Sequence, residues 1–252
     1  MTDRRAAIVT GASKGIGRAI AEELARQGSD VLINYQGDSK SAAAAVSAVT
    51  ALGVDSFSVQ ADMGEEGSGR VLVERALARW GRLDICVNNA AVINDDICIA
   101  DIDARAWRRI VDVNINGAFD LSRAAVRVMR RQRKGVLVNI SSNVTRRLPK
   151  GLGPYSASKA ALEAMTRIMA KEEGSNGIRV NGIAPGPVNT NMLRKLLENM
   201  GQEAAESFRQ SLPLQRFGEP AEIARMVAML ASDVASFVTG EIIYVNGGGP
   251  GG

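Results

Sequence analysis

Two side chains able to exchange a proton with a bound ligand lie four residues apart, Tyr155 and Lys159. On a helix, residues i and i+4 share one face, so this phenol and this ammonium can point into one pocket. A free tyrosine has a pKa of about 10, and a nearby ammonium favours the phenolate and lowers that pKa. The chain has no histidine, so a general acid or base near pH 7 must be a tuned Tyr, Lys, Cys, Asp or Glu. The spacing alone is a common coincidence, so further motifs must support it.

The composition indicates one α/β domain with a large core. The 252 residues are 46% hydrophobic and 23% charged, which is typical of a soluble globular protein. The net charge of +4 and the aromatic content of 4% are too low to favour nucleic-acid binding. No targeting segment or run of 18 apolar residues is visible, so we expect no membrane association. Cys86 and Cys98 have no partners at metal-ligand spacing, so we expect no metal, and a buried Cys86 thiol suits the cytoplasm.

Short apolar runs alternate with amphipathic stretches along the whole chain. Such runs are typical of parallel strands covered by helices on both faces, and right-handed crossovers then give a doubly wound, seven-stranded Rossmann fold. The predicted strands are 6–10, 31–35, 56–60, 83–88, 135–141, 178–183 and 242–245, and the predicted helices are 15–28, 39–53, 65–80, 103–133, 155–174 and 219–231. We expect a single domain over 1–252, in which the long connection 186–218 contains a mixed helical stretch and forms a substrate loop.

A glycine-rich turn follows the first predicted strand and opens the first predicted helix. Gly11, Gly15 and Gly17 stand in the spacing G-x-x-x-G-x-G within residues 10–17. Glycines let the backbone approach a phosphate closely, and the helix N-terminus offers free N–H groups to it. The turn therefore predicts dinucleotide binding, against the alternative that the glycines serve helix–strand packing alone.

The end of the second strand bears on which dinucleotide is bound. An acidic residue there would hold the adenosine ribose 2′-hydroxyl and disfavour a 2′-phosphate. The strand instead ends in Tyr35 and Gln36, and no carboxylate comes before Asp38. Lys14, inside the glycine-rich turn, could meet a 2′-phosphate or could be a solvated loop residue. These features favour NADP(H), and NAD(H) stays open because no arginine follows the strand.

Further motifs resemble those of the short-chain dehydrogenase/reductase family over nearly the whole chain. They are the 10–17 turn, Asp62, Asn88-Asn89-Ala90-Ala91, Asn114, Ser142 thirteen residues before Tyr155, Asn181 with Pro185-Gly186, Thr190, Gly240 and the 245–248 ending. Ala91 replaces the family's usual glycine, and Ser141 is an alternative to Ser142 by one position. The resemblance implies hydride transfer between a nicotinamide and a carbonyl or secondary alcohol.

The resemblance also implies a role for each matching residue. Tyr155 would be the general acid/base, with its pKa lowered by Lys159, which also binds the nicotinamide ribose. Ser142 would donate a hydrogen bond to the substrate oxygen, and Asn114 would hold a water that links Lys159 to solvent. The implied cofactor-binding residues are Gly11, Ser13, Lys14, Gly15, Ile16, Gly17, Tyr35, Gln36, Asp62, Met63, Asn89, Ala90, Tyr155, Lys159, Pro185, Gly186, Val188 and Thr190. The implied substrate-binding residues are Ser142, Asn143, Arg146, Leu148, Pro187 and Met192.

Within the family, the chain is most similar to 3-oxoacyl-carrier-protein reductases, with sugar and polyol dehydrogenases nearby. Those reductases dock the acidic carrier on two basic positions, which here are Arg133 and the uncharged Asn176. Arg146 or Arg147 could favour an anionic substrate or form an exposed basic loop. We expect an NADP(H)-dependent ketoreductase and a homotetramer. The alternatives are an NAD(H)-dependent sugar, polyol or other alcohol dehydrogenase, a dehydratase or isomerase, and a non-catalytic dinucleotide-binding protein.

Overall fold

The computed structural model describes residues 4–94 and 96–249 and contains one parallel sheet of seven strands. The strands are β1 Ala6–Val9, β2 Asp30–Tyr35, β3 Ser56–Gln60, β4 Ile85–Asn88, β5 Gly135–Ile140, β6 Ile178–Pro185 and β7 Ile242–Val245, in the order β3-β2-β1-β4-β5-β6-β7. This arrangement confirms the predicted doubly wound Rossmann fold. The order reverses between β1 and β4, and such a switch point is where nucleotides bind in these folds.

Helices cover the sheet on both faces. They are α1 Gly15–Arg26, α2 Ser39–Thr50, α3 Ser68–Trp80, α4 Ala104–Val111, α5 Gly117–Gln132, α6 Val144–Arg147, α7 Gly153–Glu173, α8 Asn191–Met200, α9 Gln202–Gln210 and α10 Pro220–Ala231. One face packs Ile20 and Leu24 of α1 with Val227 of α10, and the other packs Leu72 of α3 with Leu121 of α5. Because both faces are covered, the strands can be apolar at nearly every position, as in β1 and β5, which are buried throughout.

The predicted helix 103–133 is interrupted, which is the largest departure from the sequence-based boundaries. A π-helical turn at Asp112–Asn116 separates α4 from α5. Its central residue, Asn114, is almost completely buried and bonds through its side chain to the backbone of Val92. A π turn inserts one residue into a helix and is frequent at functional sites. Here it turns a polar side chain inward, which no 3.6-residue periodicity could indicate.

Other boundaries differ by a few residues. Helix α3 begins at Ser68 rather than residue 65, and β6 continues to Pro185. The connection 186–218, in which a mixed helical stretch was predicted, contains two helices, α8 and α9.

Candidate active site

Tyr155 and Lys159 lie in the first two turns of α7 and are both buried, at 7% and 2% exposure. The Ser142 side chain lies close enough to the Tyr155 phenol to lower its pKa by hydrogen bonding. The Lys159 ammonium donates to the Ile140 carbonyl over 2.7 Å and lies 5.7 Å from the centre of the Tyr155 ring. The structure therefore brings these three predicted side chains together at the carboxyl end of β5.

The pKa values in this cluster differ from the sequence-based expectation. Burial raises the pKa of Tyr155 to about 12, and the hydrogen bond from Ser142 opposes that rise without cancelling it. Burial also lowers the pKa of Lys159, to about 8. The lowering of the Tyr155 pKa that was expected from Lys159 does not appear in this structure, because burial raises that pKa and the ammonium is directed at the Ile140 carbonyl. At neutral pH this geometry holds Tyr155 as a phenol, which is the form that donates a proton.

The structure separates Ser142 from its neighbour Ser141. Ser141 is buried and donates its hydroxyl hydrogen to Glu163 Oε1 over 2.8 Å, so it points away from Tyr155. Ser142 is half-buried and faces the phenol. Because successive residues at a strand end point to opposite sides, only one of the two serines can reach Tyr155.

Asn114 acts as a link between segments in this structure. Its Oδ1 accepts from the Val92 amide over 2.9 Å, and its Nδ2 donates to the Val92 carbonyl and to Ser158 Oγ over 2.9 and 3.0 Å. Ser158 in turn donates to the Tyr155 carbonyl. Both amide hydrogens of Asn114 are therefore used inside the protein, so only an oxygen of this residue could hold the expected water.

The glycine-rich turn after β1 has the geometry of a phosphate cradle. Gly11 and Gly15 have φ values of +60° and +59°, which favour glycine. A Cβ on Gly17 would collide with Asn89 Nδ2 and with the Gly11 carbonyl. Asn89 supports this turn by donating to the carbonyls of Thr10 and Gly11 over 2.8 and 3.2 Å. The turn opens the N-terminus of α1, so its residues fit a dinucleotide pyrophosphate.

Asp62 lies after β3 within a polar cluster at the adenosine end of the predicted cofactor site. It accepts hydrogen bonds from Arg109, Gly64 and Gln36. Burial pushes the pKa of Asp62 upward, but the bonds from Arg109 and Gly64 outweigh it and hold that pKa below its ordinary value. Arg109 was missed by the sequence-based reasoning, because no motif marks it and only the packing of α4 brings it to Asp62.

Lys14 belongs to the glycine-rich turn after β1 and is largely exposed. Its ammonium is 4.0 Å from Asp38 Oδ2, which also accepts from the Ser41 hydroxyl, while Asp38 Oδ1 accepts from the Ser41 amide at the start of α2. Hydrogen bonds from Ser41, with a smaller contribution from the Lys14 charge, lower the pKa of Asp38. A carboxylate therefore stands beside the lysine that was predicted to meet a 2′-phosphate.

The remaining predicted cofactor residues lie at or just beyond the carboxyl ends of the strands. Thr190 caps α8 by accepting from the Leu193 amide over 3.4 Å, and Tyr35 ends β2. The others are Ser13 and Ile16 after β1, Met63 after β3, Ala90 after β4, and Pro185, Gly186 and Val188 at the end of β6. Because parallel strands end at one edge of a sheet, these residues and the Tyr155 cluster share that edge.

The predicted substrate residues differ in their surroundings. Asn143 is 4% exposed, and its Nδ2 has no hydrogen-bond partner within the described residues. Pro187 accepts from the Gly218 amide, and Met192 is exposed on α8. Leu148 ends α6 with an exposed side chain and a φ of +44°.

The two arginines of α6 contact aromatic rings. The Arg146 guanidinium lies 3.7 Å from the centre of the Tyr244 ring, and that of Arg147 lies 5.6 Å from the Phe208 ring. Such stacking is a favourable cation–π contact. It provides each guanidinium with a protein partner, which weakens the hypothesis that either one binds an anionic substrate.

The described ranges contain no group of three His, Cys, Asp or Glu side chains arranged to hold a metal ion. No helix within those ranges is both long and apolar enough to cross a membrane.

Comparison with known proteins identifies the family. A family model described as enoyl-(acyl carrier protein) reductase matches residues 11–249. The chain is 38% identical over 244 residues to the 3-oxoacyl-[acyl-carrier-protein] reductase FabG of Staphylococcus aureus, with 97% of each chain covered. It is 35% identical over 246 residues to glucose 1-dehydrogenase 2 of Bacillus subtilis, covering 97% of this chain and 94% of that one. A solved double mutant of a Serratia marcescens short-chain dehydrogenase/reductase matches with a TM-score of 0.89 and 34% identity over 97% of each chain.

The fold and these relatives define the class of protein as an oxidoreductase that acts on CH–OH and C=O groups. The chain belongs to the short-chain dehydrogenase/reductase family.

Proposed function

We propose that this protein is an NADP(H)-dependent ketoreductase whose catalytic residues are Ser142, Tyr155 and Lys159, supported by Asn114. The observation that carries the proposal is the buried cluster at the end of β5, where the Ser142 hydroxyl meets the Tyr155 phenol beside Lys159. This cluster shares the carboxyl edge of the sheet with the glycine cradle after β1.

Each residue of the cluster has a distinct task in carbonyl reduction. A bound nicotinamide cofactor supplies the hydride, and the protein orients the substrate and moves the proton. Tyr155 donates the proton to the substrate oxygen, and Ser142 donates a hydrogen bond that stabilises negative charge developing there. Lys159, whose pKa burial lowers to about 8, can return a proton towards Tyr155. Asn114 holds the π turn against Val92 and α7, and one of its oxygens holds the water that reaches Lys159.

NADP(H) is the proposed cofactor because Lys14 is exposed beside the glycine cradle and Gln36 stands where an acidic residue would reject a 2′-phosphate. Asp38, 4.0 Å from Lys14, reduces this preference without removing it. The adenine would lie near Asp62 and Arg109. Binding of NADPH and NADH to the wild type and to Asp38→Asn tests this proposal, since the amide should strengthen NADPH binding selectively.

The proposed substrate is a small ketone or a 3-oxoacyl thioester, and the carrier-linked form is the less supported of the two. Arg133 already donates to Asn176 Oδ1 and the Ser175 carbonyl over 2.9 and 2.7 Å, so carrier docking would have to compete with these bonds. This pairing, together with the glucose 1-dehydrogenase relative, favours a second candidate, an alcohol or sugar dehydrogenase.

A steady-state panel of ketones, 3-oxoacyl thioesters and sugars with NADPH and NADH separates these candidates. Tyr155→Phe is the matched variant, because it removes the hydroxyl while the ring still fills its buried site. Loss of turnover in Tyr155→Phe with NADPH binding retained would support the ketoreductase. Tight NADPH binding by a wild type that turns over no carbonyl or alcohol would instead indicate a non-catalytic binding protein.

We also propose a cytoplasmic homotetramer. Both cysteines, Cys86 and Cys98, are free thiols, which suits a reducing compartment. The outer faces of α5 and α7 expose Phe119 and Ile168, and Phe237 is fully exposed shortly before β7. Apolar side chains of this size are typical of subunit contacts. Light scattering coupled to size exclusion measures the assembly, and a monomer at micromolar concentration would refute it.

A further inference from the structure

A buried carboxylate that the proposed reaction does not use lies directly behind the cluster. Glu163 belongs to α7, one turn after Lys159, and is only 6% exposed. Burying a carboxylate is unfavourable unless it is paired and hydrogen-bonded, so its contacts identify what it holds in place.

Three hydroxyl groups and one guanidinium surround this carboxylate. Glu163 Oε1 accepts from Ser141 Oγ and from Thr145 Oγ1, each over 2.8 Å. The Tyr244 hydroxyl lies 3.2 Å from the same oxygen, and Arg167 NH2 lies 3.4 Å from Oε2. Four separate segments therefore converge on one side chain: the end of β5, the start of α6, β7, and α7 itself.

Two of these partners flank Ser142 in the sequence. Ser141 precedes it and donates its amide to the Ile183 carbonyl over 2.7 Å. Thr145 follows it and brings its hydroxyl within 2.9 Å of the Ser142 carbonyl. Glu163 therefore holds both ends of the short segment 141–145, and the Ser142 side chain leaves this segment on the opposite side, towards Tyr155.

Tyr244 extends the same network to the sheet and to α6. Its hydroxyl lies 3.0 Å from Thr145 Oγ1, and the Arg146 guanidinium stacks 3.7 Å above its ring. The stacked cation brings positive charge near the buried carboxylate and ties α6 to β7. The segment that carries Ser142 therefore contacts both Glu163 and Tyr244.

We propose that Glu163 is a positioning residue whose carboxylate holds segment 141–145 so that the Ser142 hydroxyl points at Tyr155. This inference rests on the proposed ketoreductase function. The amide of Glu163→Gln keeps the shape but removes the charge and turns Oε2, which faces Arg167, into a donor. The bonds from Ser141 and Thr145 to Oε1 then lose their charge assistance, and the side chain loses its guanidinium partner. The loss should then appear in the orientation of Ser142 rather than in cofactor binding.

A double-mutant cycle tests whether Glu163 acts through Ser142. We expect Glu163→Gln to lower kcat for the best ketone of the panel about 10- to 100-fold, because displacement of a reacting group by about 1 Å has effects of that size. NADPH affinity should stay unchanged. In the Ser142→Ala background the same substitution should change kcat by less than about threefold, since the group it positions is already gone.

Matched variants separate positioning from a general loss of structure. Glu172→Gln makes the same change at an exposed site on α7 and should leave kcat unaltered. Thr145→Val should repeat the effect of Glu163→Gln, while Thr145→Ser, which keeps the hydroxyl, should restore most of the activity. If Glu163→Gln does not fold, Thr145→Val and Thr145→Ser are each compared in the wild-type and the Ser142→Ala proteins. This comparison also tests whether the contact acts through Ser142.

Equal fold-losses in the wild-type and Ser142→Ala backgrounds would overturn the proposal, as would unchanged kcat in both Glu163→Gln and Thr145→Val. If the wild type turns over no substrate, the proposed function fails, and a crystal structure of the Glu163→Gln protein decides the positioning role by itself. We expect that structure to have lost the hydrogen bond between Ser142 and Tyr155, and its retention would refute the inference.

Discussion

Replacing Lys159 by methionine should change how the stability of this protein depends on pH. The ammonium is buried, and burial lowers its pKa from 10.5 to about 8 in the folded protein. Between these two values the unfolded chain binds a proton that the folded protein lacks, so the free energy of unfolding rises with pH. The penalty for burying the charge is thus fully present below pH 8 and is gone above pH 10.5.

The size of the effect follows from the difference between the two pKa values. With a folded value of about 8 and an unfolded value of 10.5, at about 1.4 kcal/mol per pKa unit, the wild type should gain roughly 3 kcal/mol relative to Lys159→Met across this window. Methionine has a similar length and no charge, so it retains most of the packing. It also leaves the Ile140 carbonyl without its donor, but that loss does not depend on pH.

Urea unfolding of nucleotide-free wild type and Lys159→Met at pH 7, 8, 9 and 10 measures this difference. The series stops at pH 10 so that the ionisation of Tyr155 does not contribute. Burial raises the Tyr155 pKa to about 12, so above about pH 10 this residue makes the free energy of unfolding fall with pH, which is opposite in sign to the effect of Lys159. The difference in free energy of unfolding should shift steadily in favour of the wild type above pH 8. Parallel pH profiles for the two proteins would show that Lys159 is not buried as a charged group and would refute the reasoning.

Three further outcomes are expected. Ser142→Ala should lower kcat by about 100-fold or more, since it removes the hydrogen-bond donor to the substrate oxygen; steady-state kinetics with the best ketone measure this, and an unchanged kcat would contradict the role of the hydroxyl. Lys14→Ala should weaken NADPH binding by about tenfold, the size of one exposed charge contact, while NADH affinity should stay within about twofold. Fluorescence titration measures both affinities, and equal losses would show that Lys14 does not meet a 2′-phosphate. Gly17→Ala should lower stability by about 1–3 kcal/mol because its Cβ meets backbone and Asn89, so an unchanged melting temperature would contradict the described turn.

Local patterns were sufficient to predict the fold. Apolar runs recur at intervals with amphipathic stretches between them, and the observed seven-stranded parallel sheet confirms the doubly wound fold that this alternation predicted. It also indicated that 186–218 departs from the βα rhythm and contains helical sequence, which forms α8 and α9.

Contacts between side chains from segments distant in sequence were not predictable from these local patterns. The π turn at Asp112–Asn116 brings the Asn114 side chain to Val92, which is 22 residues away in sequence. Arg109 reaches Asp62, and Arg146 stacks on Tyr244, through packing of elements that no motif relates.

The sequence by itself determined the order of the strands and helices along the chain, the glycine-rich turn, and a tyrosine–lysine pair in a chain without histidine. These properties are readable because they depend on residue type and on spacing within one element. The tertiary structure alone decided that the Ser141 hydroxyl bonds to Glu163 and that the Tyr244 hydroxyl of β7 reaches the same carboxylate. It also decided the pKa directions, since desolvation depends on how closely the whole protein surrounds Tyr155 and Lys159, which neighbours in sequence do not reveal.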